Sequence, residues 1–242
     1  MERALFIAAG GMAAQQQNLD TIAANLANAD VAGFKGSVRE FAELSAPGEA
    51  SLGTVALGER VLLAQGKLAK GGGPCDLAID GPGFFKVDDP RGGIGYVRGG
   101  AFARSADGGL LDERGLRLHG IRVPNDALTM TIAEDGTIRA AFANGTRTIG
   151  ALPLYEFPAP DRLSAVGGTL FKRTAESGAP RTVQPGRTNA PAIRFGMLEQ
   201  SNVSIVDAMM QILSAQRAYE ANAKGVQAAD ELLRIANNLQ RG

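Results

Sequence analysis

From Ser201 to Leu239 the chain runs without proline and places Ile205, Ala208, Ile212, Ala215, Tyr219, Asn222, Val226, Ala229, Leu233 and Ala236 alternately three and four positions apart. All but Asn222 are apolar. A 3.5-residue spacing is the seam of a coiled coil, narrower than the stripe of a helix lying on a globular core. Large and small side chains alternate along it, so a partner helix can approach closely at the alanines. Val206, Met209, Met210, Leu213, Leu232, Ile235 and Leu239 lie off the seam and stay wet if only one helix packs here. A helix apolar on several sides has to be covered on several sides. Ser201, Asn202 and Ser204 signal its start, and Asp207 sets a carboxylate at the positive end of the helix dipole. Glu220 with Lys224 and Asp230 with Arg234 are i,i+4 pairs in the favourable orientation, and Gly225 is the weak point. Such a helix spans roughly 50 to 55 Å, longer than a small domain is wide.

The spacing recurs at the other terminus. Within a helix expected over Ala4 to Asn28, Leu5, Ala8, Met12, Gln15, Leu19, Ile22, Leu26 and Ala29 form a stripe with only Gln15 polar. Gly10 and Gly11 each cost about 1 kcal/mol in a helix interior, so this helix depends on a partner. Beside the stripe, Asn18, Thr21, Asn25 and Asn28 form a polar row. It reads either as a solvated face with Asn28 helping to end the helix, or as an amide row fixing register against neighbouring helices.

Composition narrows the classes. The chain has 242 residues, enough for one large domain or two modest ones. Lys+Arg and Asp+Glu are both 25, which removes the electrostatic case for nucleic acid or anionic membrane as main partner and tolerates self-association. Thirty-two glycines, 5% aromatic residues and no Trp point to many turns and thin cores. Cys75 alone forms no internal disulfide. There is neither the pattern of a secretory leader nor a run of about 18 apolar residues, so these signals alone read as cytoplasmic, without membrane insertion.

Between the termini the pattern changes. Val31 to Ser37 is a turn with a lone aromatic, short apolar segments surround Phe41 and Leu44, a loop falls at Pro47-Gly48, Thr54 to Leu68 is a candidate extended stretch, and Gly71-Gly72-Gly73-Pro74 is a hinge or tight loop. From Asp76 to about Arg194, short strands follow one another: Leu77-Ala78-Ile79, Phe84 to Val87, Tyr96 to Arg98, Leu110-Leu111, Leu116 to Val123, Met130 to Ile132, Thr137-Ile138 and Thr148 to Phe157. Turns fall at Asp107-Gly108, Asp135-Gly136 and Asn144-Gly145, the last being the strongest hairpin signal. This spacing predicts an antiparallel all-β barrel or sandwich without βαβ units.

Chemistry is sparse. Gly81-Pro82-Gly83 lies between strands and lacks the third glycine and following helix of a dinucleotide fingerprint, and Gly33-Phe34-Lys35-Gly36-Ser37 fails the phosphate-loop spacing. His119 has no second His or Cys to complete a zinc set. Asp88-Asp89 reads as a solvated hairpin tip, with a general acid/base pair as the minority use of such turns. An enzymatic reading ranks below a structural one, and no catalytic, cofactor-binding or metal residue is assigned.

Motifs at opposite ends point the same way. Asn25-Leu26-Ala27-Asn28 followed by Gly33-Phe34-Lys35 resembles the N-terminal signature of the bacterial flagellar rod and hook axial proteins. Glu199-Gln200-Ser201-Asn202-Val203 with Gln216-Arg217-Ala218-Tyr219-Glu220 resembles their C-terminal one. Asp76 to Phe85, Tyr96 to Phe102 and Ser177 to Pro180 look like rod members of that family. Ala24 and Asp30-Val31-Ala32 depart from its usual pattern. Met1 to Phe6 and Ala46 to Val61 look more like the proximal rod member, whereas Phe84-Phe85, Gln216 to Glu220 and Asp230 to Leu233 favour the distal one.

The resemblance implies an α+β fold with paired N- and C-terminal coiled-coil helices, residues 1–30 plus 201–242, flanking an antiparallel β domain at 76–200 through an extended segment at 31–75. It implies a subunit that self-assembles into the hollow, torque-transmitting rod of the basal body in the periplasm, exported through the flagellar type III apparatus without a cleaved signal. The implied partners are its own copies, neighbouring rod and hook proteins and the surrounding rings, with no cofactor. The expected assembly interface comprises Leu5, Met12, Leu19, Ile22, Asn25, Leu26, Asn28, Ile205, Met209, Ile212, Leu213, Tyr219, Val226 and Leu233. The alternatives are a sugar-binding or enzymatic module on a β scaffold with oligomerising helices, which needs acidic turns to converge in a cleft, and a phage-tail or secreted fibre subunit.

Overall fold

The computed structural model describes residues 2–44, 53–90, 92–167, 169–187 and 190–239; the side chains of Leu233, Ala236 and Leu239 and the Pro47-Gly48 loop lie outside the described set. The chain is α+β, with a helix near each end and antiparallel strands between. It forms two compact units: Met1–Ala29, Ser37–Arg60 and Val203–Gly242 make the helical unit, and Asp30–Gly36 with Val61–Asn202 make the β unit.

The helical unit contains α1 (Glu2–Ala27), the strands β1 (Ser37–Leu44) and β2 (Gly53–Val61), which pair as a two-stranded sheet ending at the unit boundary, and α2 (Ile205–Leu239). At 35 residues, α2 is roughly 52 Å long. The two helices pack on each other around Ile22, Ala208 and Ala215, with Leu19, Leu26, Val203 and Ile212 against that cluster. Gly11 packs against α2, since a methyl group there would sit 2.9 Å from Asn222 Nδ2. Asn222, the polar member of the α2 spacing, thus faces the glycine of α1, and the glycine that weakens α1 also lets the helices approach.

Helix α2 begins later than Ser201. Ser204 is its cap, accepting a hydrogen bond from the Asp207 backbone N–H at 3.3 Å through Oγ. Asp230 and Arg234 pair at 3.4 Å. The polar row of α1 is held in part within the helical unit. Thr21 and Asn25 are buried, and Asn25 exchanges two hydrogen bonds with the backbone of Ser37 on β1, at 2.7 and 2.9 Å. Asn28 does close the helix, donating from Nδ2 to the Ala24 carbonyl at 2.8 Å.

The β unit contains β3 (Leu68–Lys70), β4 (Cys75–Asp80), β5 (Phe85–Asp88), β6 (Ile94–Val97), β7 (Gly99–Arg104), β8 (Leu110–Leu111), β9 (Arg117–Leu118), β10 (Thr129–Ile132), β11 (Thr137–Phe142), β12 (Gly145–Ala151), β13 (Leu154–Glu156), β14 (Ser164–Val166), β15 (Leu170–Lys172), β16 (Arg181–Val183), β17 (Ala192–Phe195) and β18 (Met197–Glu199). Nine strands form the main sheet in the order β14-β15-β6-β5-β9-β8-β7-β4-β17. A second sheet has the order β10-β11-β12, and β13-β16 and β3-β18 form pairs. Every described pairing in the unit is antiparallel.

Leu77, Ile79, Phe85, Val87, Leu110, Leu118, Ile138, Leu152, Leu154 and Ile193 are fully buried in one core. Phe84, Tyr96, Phe157 and Phe171 make a second, edge-to-face aromatic cluster. The Asn144-Gly145 hairpin forms one position early. Ala143 and Asn144 make the turn, and Gly145, at φ +120°, opens β12 opposite Phe142. The run from Leu116 to Val123 is not one strand; only Arg117–Leu118 pairs. Thr148 to Phe157 splits between β12 and β13.

Candidate assembly surface and its buried anchor

On α2 most of the residues spaced three and four apart turn inward, Ala208, Ala215 and Ala229 being buried and Ile212, Asn222 and Val226 partly covered, while Ile205 and Tyr219 are exposed. The off-seam residues turn outward. Val206 is 66% exposed, Met209 53%, Met210 57% and Leu213 57%, and Leu232 and Ile235 are likewise exposed. Four apolar side chains within two turns of one helix form the kind of patch that a protein surface normally covers with a partner. Of the expected interface residues, Ile205, Met209, Leu213 and Tyr219 are exposed, while Leu5, Met12, Leu19, Leu26, Asn28, Ile212 and Val226 are partly covered. Ile22 and Asn25 are buried within the chain, and Leu233 lies outside the described side chains.

Elsewhere in the helical unit Phe6 on α1 and Leu57 on β2 are also exposed. The cross-strand pairs Arg60–Glu40, at 2.9 Å, and Arg39–Glu59, at 3.8 Å, hold β1 and β2 in register. Among the described residues no group of three His, Cys, Asp or Glu could hold a metal ion, and no helix is long and apolar enough to cross a membrane.

The signature motifs meet inside the β unit, in a contact that spacing could not reveal. Glu199, at the end of β18, accepts from Lys35 Nζ at 2.7 Å through Oε1 and from Arg98 Nε at 3.2 Å through Oε2. All three side chains are essentially excluded from water. Lys35 also donates to the Ala64 carbonyl at 2.8 Å, and Arg98 donates to the Gly83 and Gly81 carbonyls at 2.6 and 2.8 Å. The Gly66 N–H donates to Glu199 Oε1 at 2.9 Å. Asn202 is part of this anchor and not of the helix start. Its Oδ1 accepts from the Gly36 N–H at 2.8 Å, and its Nδ2 donates to the Leu62 and Ala64 carbonyls at 2.7 and 3.0 Å. Residues more than 160 positions apart are thereby tied to one point.

Two cations share one carboxylate here. Burial pushes the Lys35 ammonium below its ordinary value; Glu199 opposes that shift and Arg98 adds to it. A base with a lowered folded-state value binds fewer protons than it does in the unfolded chain, so stability rises with pH across the window below 10.5. Burial pushes the Cys75 thiol and the Tyr96 phenol up, which works the other way over the same range, so the Lys35 contribution is read as a difference: from neutral pH up to that value, urea midpoints are expected to rise more, or fall less, in the wild type than in Lys35→Met. An equal slope in both would remove Lys35 as a contributor.

Comparison with known proteins covers the chain from end to end. Residues 5–35 match the family described as flagella basal body rod protein, residues 78–140 the flagellar hook protein FlgE/F/G D1 domain, and residues 195–239 the flagellar basal body rod FlgEFG protein C-terminal region. The flagellar basal-body rod protein FlgG of Borreliella burgdorferi is 38% identical, with all of both chains covered. FlgG of Agrobacterium fabrum is 35% identical over 97% of this chain and 98% of its own length, and FlgG of Bacillus subtilis is 32% identical with both fully covered. The distal reading of the rod motifs agrees with these relatives, and the enzymatic and sugar-binding alternatives find no support among them. The chain belongs to the flagellar basal-body rod protein family, and is a structural, non-enzymatic rod subunit of the basal body with rod and hook proteins as its neighbours.

Proposed function

We propose that the subunit self-assembles through its terminal helices into a hollow helical shaft that transmits torque to the hook. The observation that carries this is the exposed apolar face of α2, with Met209, Met210 and Leu213 in water in the single chain. A face of that kind, on a helix whose other side is already packed, needs occupants from outside. The paired helices act as a coiled coil, and residues 1–30 with 201–242 form the inner layer of the shaft. Residues 31–75, which carry β1 and β2 of the helical unit and β3 of the β unit, run in sequence between that layer and an outer β layer at 76–200. The fourteen interface positions divide between them: Ile205, Met209, Leu213 and Tyr219 meet other subunits, while Ile22 and Asn25 hold the helical unit in shape for them.

Rod membership supports a position in the periplasmic shaft, delivery through the flagellar export apparatus without a cleaved leader, and contact with the surrounding rings. Many interlocked helices share the load, so no single residue carries it.

The test is a charge placed on the open face. Met209→Asp and Leu213→Asp are expected to leave the monomer's thermal midpoint within about 2 °C of wild type, since exposed substitutions usually change stability by under about 0.5 kcal/mol. Both are expected to abolish rod assembly and motility in a complementation assay. Full motility with both substitutions together would sink the proposal.

A further inference from the structure

The chain's single histidine sits between two side chains of one strand. His119 Nδ1 lies 3.0 Å from both Asp88 Oδ1 and Asp88 Oδ2, and its Nε2 lies 3.3 Å from Lys86 Nζ. The backbone holds the arrangement, because the His119 N–H donates to the Lys86 carbonyl at 2.9 Å next to the β5–β9 pairing. In the neutral imidazole, a carboxylate that only accepts favours the proton on Nδ1, and Nε2 then presents its lone pair to the lysine nitrogen. His119 and Asp88 are 42% and 44% exposed, and Lys86 is partly exposed, so a small reagent can reach them.

The surroundings leave this contact intact. The Tyr155 ring lies 5.9 Å from Lys86 Nζ, and Tyr96 is opposite Lys86 in the β5–β6 register. Arg117, opposite Asp88, is engaged by Asp107, and Lys172 is directed to Asp89. What remains is a nucleophile within reach of a base that a carboxylate orients.

We propose that Lys86 is a preferred site of acylation by small acyl phosphates, with His119 as general base and Asp88 as the residue that positions it. The free-amine form of Lys86 Nζ attacks the acyl carbon and forms the C–N bond, and the proton it sheds passes to His119 Nε2. The tetrahedral intermediate then collapses, the C–O bond to phosphate breaks, and the electron pair leaves on phosphate. The imidazolium, stabilised by Asp88 meanwhile, returns its proton to solvent, and nothing is oxidised or reduced. The product is a neutral amide, so this face of the β unit loses one positive charge. Lys35 is closed to the reagent by burial, Lys172 faces Asp89 and Lys224 lies on α2, so the exposed Lys67 and Lys70 of the β unit serve as references without an imidazole.

The experiment treats the folded full chain with acetyl phosphate and follows each lysine by mass spectrometry. Lys86 is expected to acetylate about tenfold faster than Lys67 and Lys70, less than the roughly 100-fold or more that a general base gives in a complete enzyme site. His119→Gln is expected to bring Lys86 down to the reference rate, and imidazole added to His119→Ala to restore it. Asp88→Asn is expected to slow Lys86 and to change the pH profile of its acetylation, because that tautomer is no longer favoured. Continued closure of Lys35 to the reagent in each variant reports an intact fold, because unfolding would open it. A Lys86 rate equal to the references, no change in His119→Gln, or no rescue by imidazole would each overturn the proposal, whatever becomes of the shaft reading.

Discussion

Replacing Glu199 with Gln is expected to cost the β unit about 3–5 kcal/mol in urea unfolding, the range seen when one member of a buried ion pair is removed. The side chain keeps its size and one accepting oxygen, so the loss is one of charge. Lys35 and Arg98 remain in a water-free site with carbonyls for company and no anion between them. A companion variant separates charge from shape: replacing Lys35, Arg98 and Glu199 together with Met, Met and Leu removes all three charges and is expected to recover most of the loss, because apolar side chains of similar volume often substitute for a buried ionic cluster. A Glu199→Gln cost below about 1 kcal/mol would mean that the carboxylate is not needed as a charge.

The second large effect is expected at Phe85. It is fully buried at the start of β5, facing Val97 across the β5–β6 pair, within the main core. Phe85→Ala removes most of an aromatic ring from a site closed on all sides, and the expected cost is about 3–5 kcal/mol, read as a lower thermal midpoint or urea midpoint. Leu57→Ala provides the contrast. Leu57 is 66% exposed on β2, and its truncation is expected to change stability by under about 0.5 kcal/mol. Similar effects at the two positions would mean that Phe85 is not a core residue.

The helices were legible because their information is periodic. Ala208, Ala215 and Ala229 turn inward and Val206, Met209 and Leu213 turn outward, whereas Ile205 and Tyr219, which share the spacing of the inward set, are exposed. The turns at Asp107-Gly108 and Asp135-Gly136 were legible because Gly108 and Gly136 adopt φ near +80°, a region that few other residues occupy. Boundaries were harder. Asn202 looks like the first residue of a helix because its short amide suits a cap, yet that amide holds Gly36, Leu62 and Ala64. The polar row of α1 gives no sign that its partner is the backbone of Ser37, because backbone groups are the same at every position. The antiparallel order of the nine-stranded sheet depends on pairings such as β4 with β17, more than a hundred residues apart.

The ionic anchor was hidden for a related reason. Lys35, Arg98 and Glu199 are ordinary charged residues in three separate motifs, and only the folded chain makes them one object. Each motif lies within a different matched region of the chain. Their convergence shows why a lysine, an arginine and a glutamate are useful at those three places.

The distance along the chain between Lys35 and Glu199 also has a temporal meaning. A polypeptide made from its first residue onward has both cations well before it has the carboxylate that neutralises them. Until residue 199 is available, burying Lys35 and Arg98 together leaves two cations without their shared anion, which is costly. A chain cut short before β18 has neither Glu199 nor the Asn202 amide, and its β unit is expected to be cleaved faster than that of the full chain in limited proteolysis.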